Sequence, residues 1–168
     1  DIDKAEVNAP LSIDFNQTIS QPLTVAFMME LLKPKEGDII LDVGSGSGWT
    51  AALLSRIVGP SGKVYGLEIV NELGQFAKSN VDKYNFIKKG LAHIFCTDGY
   101  RGLPEFAPFD KIIVSAAADE IPPALLNQLK IGGRLVMPLG RQYETQDIIL
   151  VKKASENKYK EERYPGFI

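Results

Sequence analysis

The stretch ILDVGSGSGWT, residues 40–50, sets Gly44, Gly46 and Gly48 alternately with serines, Ser45 first among them, directly after an apolar run. Glycine has no Cβ, so it takes positive φ readily and lets a ligand approach the main chain. Asp42 stands just before these glycines, and Glu68, in GLEI, follows Gly48 by 20 residues. A carboxylate so placed can accept hydrogen bonds from both hydroxyls of a ribose. Asp98 and Gly99, in CTDGYRG, offer an acceptor for an exocyclic amine beside a residue that admits a flat ring, or else form a plain Asp-Gly turn. Ser20, in QTISQP, either caps the helix that begins near Pro22 or contacts a bound molecule.

Two ligand classes fit the glycines, and a glycine turn that binds nothing is the third reading. Gly46-x-Gly48-x-x-Ala51 with Glu68 beyond it satisfies the dinucleotide pattern. Asp42 argues against that reading, because a carboxylate beside the loop repels a pyrophosphate and suits a cation. S-adenosyl-L-methionine carries an ammonium and a sulfonium and no phosphate, so Asp42 favours it, with S-adenosyl-L-homocysteine as the product left after methyl transfer. No metal-ligand cluster is visible. His93, the one histidine, reads as structural or solvent-facing, and Cys96 as a buried small hydrophobe without an activating base. Gln17 and Thr18 could help close the crevice, and Ser115 to Ala118 would leave room above the sheet. Asp119 and Glu120 are expected to cap the following helix, and Met28 and Met29 to fill the core.

The elements that must position these residues follow from periodicity. Helices are expected over 23–33, 49–58, 72–84 and 121–130, the last stopped by Ile131-Gly132-Gly133. Strands are expected over 38–43, 63–69, 93–97, 109–115, 134–139 and 147–153, with the polar tail 155–164 as a hairpin turn and edge strand. Alternating strands and helices imply an α/β fold, a Rossmann-like, open, mostly parallel twisted sheet with helices on both faces. One domain spans 1–168, with residues 1–36 as a segment and helix covering the cofactor site and 37–168 as the core. The apolar ending YPGFI leads to the expectation that the last strand of such a fold is missing.

With 19 Lys plus Arg against 21 Asp plus Glu, the net charge of −2 gives no general grip on a nucleic acid backbone. No apolar run reaches the roughly 20 residues of a membrane span, and no secretory leader is seen. With a single cysteine, these features make a cytoplasmic monomer without nucleic acid or membrane partners the expectation.

QTISQP (17–22), ILDVGSGSGWTAALLSRIVGPSGKVYGLEI (40–69) and CTDGYRGLPEFAPFDKIIVSAAADEIPPALLNQLKIGGRLVMPLG (96–140) together resemble the protein-L-isoaspartate (D-aspartate) O-methyltransferase family, within the class I methyltransferases. The likeness runs from about residue 10 to the end of the chain. It implies methyl transfer from S-adenosyl-L-methionine to the free α-carboxylate of isoaspartyl residues in peptides and proteins, giving an ester that collapses to a succinimide. By the same likeness Gly44, Ser45, Gly46 and Gly48 line the methionine portion of the cofactor, Glu68 its ribose, and Asp98 and Gly99 its adenine, while Ser20 matches the active-site serine. A carboxylate acceptor is already a nucleophile at neutral pH, so no histidine base is required. Leu23 departs from the family, many of whose members carry a histidine there. Other acceptors, such as a tRNA adenine or a small-molecule oxygen, and a cofactor-binding domain without catalysis are the competing readings.

Overall fold

The computed structural model describes residues 7–13, 15–141 and 145–167. The parts of the expected covering segment at residues 1–6 and 14 lie outside the described residues, as does Ile168. A two-stranded hairpin, β1 (Leu11–Ser12) and β2 (Thr18–Ile19), leads into α1 (Pro22–Leu32). Pro22 occupies the first helical position, where its lack of an N–H leaves nothing unpaired. Seven strands follow in one sheet: β3 (Ile39–Val43), β4 (Lys63–Glu68), β5 (Ala92–Cys96), β6 (Phe109–Val114), β7 (Leu129–Leu139), β8 (Gln146–Ser155) and β9 (Lys158–Phe167). Their order is β5-β4-β3-β6-β7-β8-β9, parallel as far as β7 and antiparallel beyond it. The helices α2 (Trp49–Val58), α3 (Asn71–Asp82) and α4 (Pro123–Gln128) lie in the connections.

Side chains alternate across a strand. Ile40, Val64, Ile94, Ile113 and Val136 point to the face covered by Met28 and Leu32 of α1, Leu54 and Val58 of α2, and Ala77 and Val81 of α3. Leu41, Leu67, Ile112, Leu135 and Met137 point to the other face, where Leu125 of α4 and Leu103 close a second core. Helices therefore cover both faces, three on one and a single short one on the other.

One expectation needs correction. Helix α4 ends at Gln128, and the segment expected to stop it belongs to β7. The β6–β7 register jumps from Phe109↔Leu129 to Lys111↔Arg134, so Lys130 to Gly133 form a bulge, with Gly132 at φ 82°. The polar tail does form an edge strand: it pairs with β8 from Ser155↔Lys158 to Gln146↔Phe167, the seventh strand of the sheet. Phe167 and Tyr164 pack around Phe27 of α1, which ties that edge strand to the helical layer.

The chain runs outward from β3 in both directions, through β4 to β5 on one side and across to β6 on the other. In an open α/β sheet this switch point leaves a crevice beyond the carboxyl ends of the two central strands. The glycine loop follows β3, and Ser115 to Ala118 follow β6.

Candidate cofactor and acceptor site

The glycine loop is held from several sides. Gly44 and Ser45 both donate backbone N–H bonds to the Leu67 carbonyl, at 2.8 and 3.0 Å. The Ser45 hydroxyl donates to the Asp42 carbonyl at 3.2 Å, and Asn80 Nδ2 of α3 donates to the Ser47 carbonyl at 2.9 Å. Glu68 is buried at the end of β4; its Oε2 accepts from Gly46 N–H at 2.8 Å and its Oε1 from Val70 N–H at 3.0 Å. Each oxygen keeps lone-pair capacity beyond these bonds, enough to accept from two more donors.

A cleft of about 300 Å³ opens above this loop. Ser20, Gly44, Ser45, Gly46, Glu68, Asp98 and Gly99 all line it. Gln17 and Thr18 reach it from the hairpin, and Ile13 lies 3.3 Å from where a Cβ on Gly46 would stand. The hairpin thus rests on the loop, and a side chain at Gly46, whose φ is 50°, would push it off.

Ser20 does not cap α1. The capping position is Gln21, without a side-chain cap bond, and Asn8 Oδ1 accepts from Leu23 N–H at 3.0 Å. The Ser20 side chain is half-buried on the cleft wall instead. Asp98 is both a turn former and a wall residue. Its Oδ1 accepts from Tyr100 N–H at 2.9 Å, capping the single 3-10 turn Gly99–Arg101. Gly99 has no room for a side chain, because a Cβ would fall 2.4 Å from Val43 Cγ1.

Asp42 and Gly48 stand outside the cleft, against expectation. Gly48 begins α2 at φ 81°, and a Cβ on it would meet the Ala77 carbonyl and Val81 Cγ2 at 2.9 Å. It is a packing glycine that lets α2 and α3 approach closely. Asp42 shares the strand face of Ile40 and is fully buried below the loop, with neither carboxylate oxygen hydrogen-bonded. Burial raises its pKa to about 7; the Ser45 hydroxyl opposes that rise and the charge of Glu68 adds to it. An ionised Asp42 would supply negative potential from beneath the loop, without touching what binds above.

Other expectations are also revised. Cys96 is exposed at the end of β5, since the strand stops there and its sulfur turns toward α3, where a Cβ on Gly74 would meet it. Asp119 and Glu120 do not cap α4, which has no side-chain cap; Glu120 accepts from the Tyr100 hydroxyl at 3.3 Å. His93 stacks on Tyr65 with centroids 5.4 Å apart, a structural placement. Among the described residues no group of three acids, histidines or cysteines could hold a metal ion.

Sequence reasoning missed Trp49, Thr50, Ile69, Tyr100 and Ile13 on the cleft wall. Ile69 is 69% exposed and Tyr100 52%, which places apolar surface on either side of the Glu68–Asp98 end. Adjacency could have flagged Ile69: an apolar residue directly past an acid at a strand end must face the crevice or solvent.

The profile of the protein-L-isoaspartate(D-aspartate) O-methyltransferase (PCMT) family matches residues 3–166. A protein-L-isoaspartate O-methyltransferase of Staphylothermus marinus is 43% identical over 160 residues, covering 92% of this chain and 70% of that protein. Its counterpart in Methanopyrus kandleri is 40% identical over 164 residues, covering 98% of this chain and 71% of the relative. Among solved structures, one from Plasmodium falciparum, described as a protein-L-isoaspartate O-methyltransferase in complex with S-adenosyl-L-homocysteine, superposes with a TM-score of 0.86 at 26% identity, covering 96% of this chain and 78% of the other. A second protein-L-isoaspartate O-methyltransferase gives 0.78 at 34% identity over 94% of this chain and 51% of the other. With that match along nearly its whole described length, the chain belongs to the protein-L-isoaspartate (D-aspartate) O-methyltransferase family.

Proposed function

We propose that this chain transfers the methyl group of S-adenosyl-L-methionine to the free α-carboxylate of an isoaspartyl residue in a peptide or protein. The product ester collapses to a succinimide, which reopens in part as normal aspartate. One observation carries the proposal: four distant segments, those of Ser20, the glycine loop, Glu68 and Asp98-Gly99, converge on one cleft. A cleft of about 300 Å³ is at the lower end of small-molecule sites.

The wall fits a nucleoside amino acid. Glu68 accepts from the ribose hydroxyls with the lone pairs that Gly46 and Val70 leave free. Asp98 accepts from the adenine amine, and Ile69 and Tyr100 offer apolar surface to the ring. Gly44 and Gly46 let the methionine portion lie against the main chain. When bound, the cofactor supplies a methyl group on a cationic sulfur that departs as a neutral thioether as the methyl–oxygen bond forms.

The acceptor needs no base, because its carboxylate is ionised at neutral pH. The protein's task is placement, which can supply several powers of ten in rate. Ser20, on the cleft wall, is placed to donate a hydrogen bond from its hydroxyl to one acceptor oxygen and so leave the other free to face the methyl group. Ala116 and Ala117, small and exposed after β6, leave space for the acceptor's own chain.

The test is transfer of labelled methyl to a short isoaspartyl peptide, with its aspartyl twin as control and calorimetric titration of S-adenosyl-L-homocysteine alongside. Label on the isoaspartyl peptide alone is expected. Equal label on both, or cofactor binding with none on either, would defeat the acceptor assignment.

A further inference from the structure

The loop that carries Asp98 is pinned by a side chain that never reaches the cleft. Gln128, the last residue of α4, is 8% exposed. Its Oε1 accepts from Leu103 N–H at 2.7 Å, and its Nε2 donates to the Arg101 carbonyl at 2.8 Å. The carboxamide therefore pairs with the main chain on both sides of Gly102, much as a neighbouring strand would. Gly102 is matched to it: its φ is 64°, and a Cβ there would fall 2.3 Å from Gln128 Oε1. Only a glycine allows the carboxamide to lie flat on this turn.

The clamp acts at the end of the 3-10 turn Gly99–Arg101, whose other end is capped by Asp98. Gly99 is seated on Val43 with no space to spare, and Tyr100 bonds Glu120 ahead of α4. Asp98, Gly99 and Tyr100 are thus tied to β3 on one side and to the segment ahead of α4 on the other. Pro122 and Leu125 continue the same wall of the cleft. A loop of this kind would otherwise sample many conformations, and ordering it on binding would cost affinity.

We infer that Gln128 is a positioning residue for cofactor binding, holding Asp98, Gly99 and Tyr100 in the arrangement that receives the adenine. The inference rests on the cofactor assignment proposed above but not on the identity of the methyl acceptor. Gln128→Met keeps the length and apolar bulk of the side chain and removes both hydrogen bonds. Its dissociation constant for S-adenosyl-L-homocysteine is expected to rise by about tenfold, the scale of one or two buried hydrogen bonds that binding must then replace. The KM for S-adenosyl-L-methionine should rise in step, with kcat at saturating cofactor within about twofold of the unaltered protein.

Gly102→Ala attacks the same clamp from the other side and should also weaken cofactor binding. Once the carboxamide is gone the added methyl has less to strike, so the double variant should lose less than the sum of the two singles. If Gln128→Met does not fold, Gln128→Glu serves: it keeps the acceptor for Leu103 N–H, sets an oxygen against the Arg101 carbonyl, and should weaken binding likewise. Unchanged cofactor affinity in a folded Gln128 variant, or a fall in kcat with KM unmoved, would overturn the inference. An unaltered protein that binds S-adenosyl-L-homocysteine but leaves the isoaspartyl peptide unmethylated refutes the acceptor assignment while Gln128 is still judged by affinity. Failure to bind S-adenosyl-L-homocysteine at all would overturn both.

Discussion

Replacing Asp42 by asparagine should make the ligand-free protein more stable above neutral pH. The carboxyl is fully buried, lacks a hydrogen-bond partner, and has a folded-state pKa of about 7 against an ordinary value of 3.8. The folded state therefore holds a proton that the unfolded chain has released, throughout the window between those values. The favourable contribution of the protonated carboxyl is complete below about pH 4 and is lost as pH rises through about 7. A shift of about three units, at 1.36 kcal/mol each, is worth about 4 kcal/mol at pH 8.5. Relaxation around the buried charge lowers the measured figure, so about 2–4 kcal/mol is expected.

Urea denaturation of both proteins at pH 5 and pH 8.5 measures this. By pH 5 the unaltered protein has already lost part of this contribution, so Asp42→Asn should gain on it between the two pH values by about 1–3 kcal/mol, with unchanged denaturant slopes. Cofactor affinity should move the other way, since the variant loses the negative charge beneath the loop, and stability would then have been given up for function. A stability difference that does not vary with pH would refute the assignment of a strongly shifted carboxyl to position 42.

Gly48→Ala should cost about 2–5 kcal/mol, combining left-handed backbone strain with overpacking against Ala77 and Val81, and a thermal melt will show it as a lower midpoint. Glu68→Gln turns an amide donor toward the N–H of Gly46 or Val70, and should weaken S-adenosyl-L-homocysteine binding by about 1.5–3 kcal/mol in calorimetry. Ser20→Ala should lower methyl transfer to an isoaspartyl peptide at least about tenfold while leaving cofactor affinity close to normal. An equal loss of cofactor affinity would refute the acceptor-side placement of that serine.

The local code was strong enough to specify the central layer. DIILDV and KVYGLEI are short apolar runs, each preceded by a glycine turn, and they form β3 and β4 within a residue of expectation. Trp49–Val58 is a helix with the limits read from its periodicity, closed by Gly59 at φ 63°. Most of the cleft was equally legible, because glycines and acids at strand ends in a βαβ order can face only one crevice.

What escaped the sequence depended on contacts between distant segments. The end of α4 is set by the pairing of Leu129 with Phe109, twenty residues away along the chain, which draws the segment into β7 before its own glycines could end the helix. Capping, one of the two readings of Ser20, falls instead to Asn8, brought near by the β1–β2 hairpin. Asp42 and Gly48 carry residue types suited to a ligand, yet the alternation along β3 and the approach of α3 decide that one is sealed below the loop and the other packed against a helix. Residue type and order therefore determined which elements form and which end of the sheet binds. Tertiary packing decided which side chains reach the cleft, because exposure is a property of what lies across from a residue and not of the residue alone.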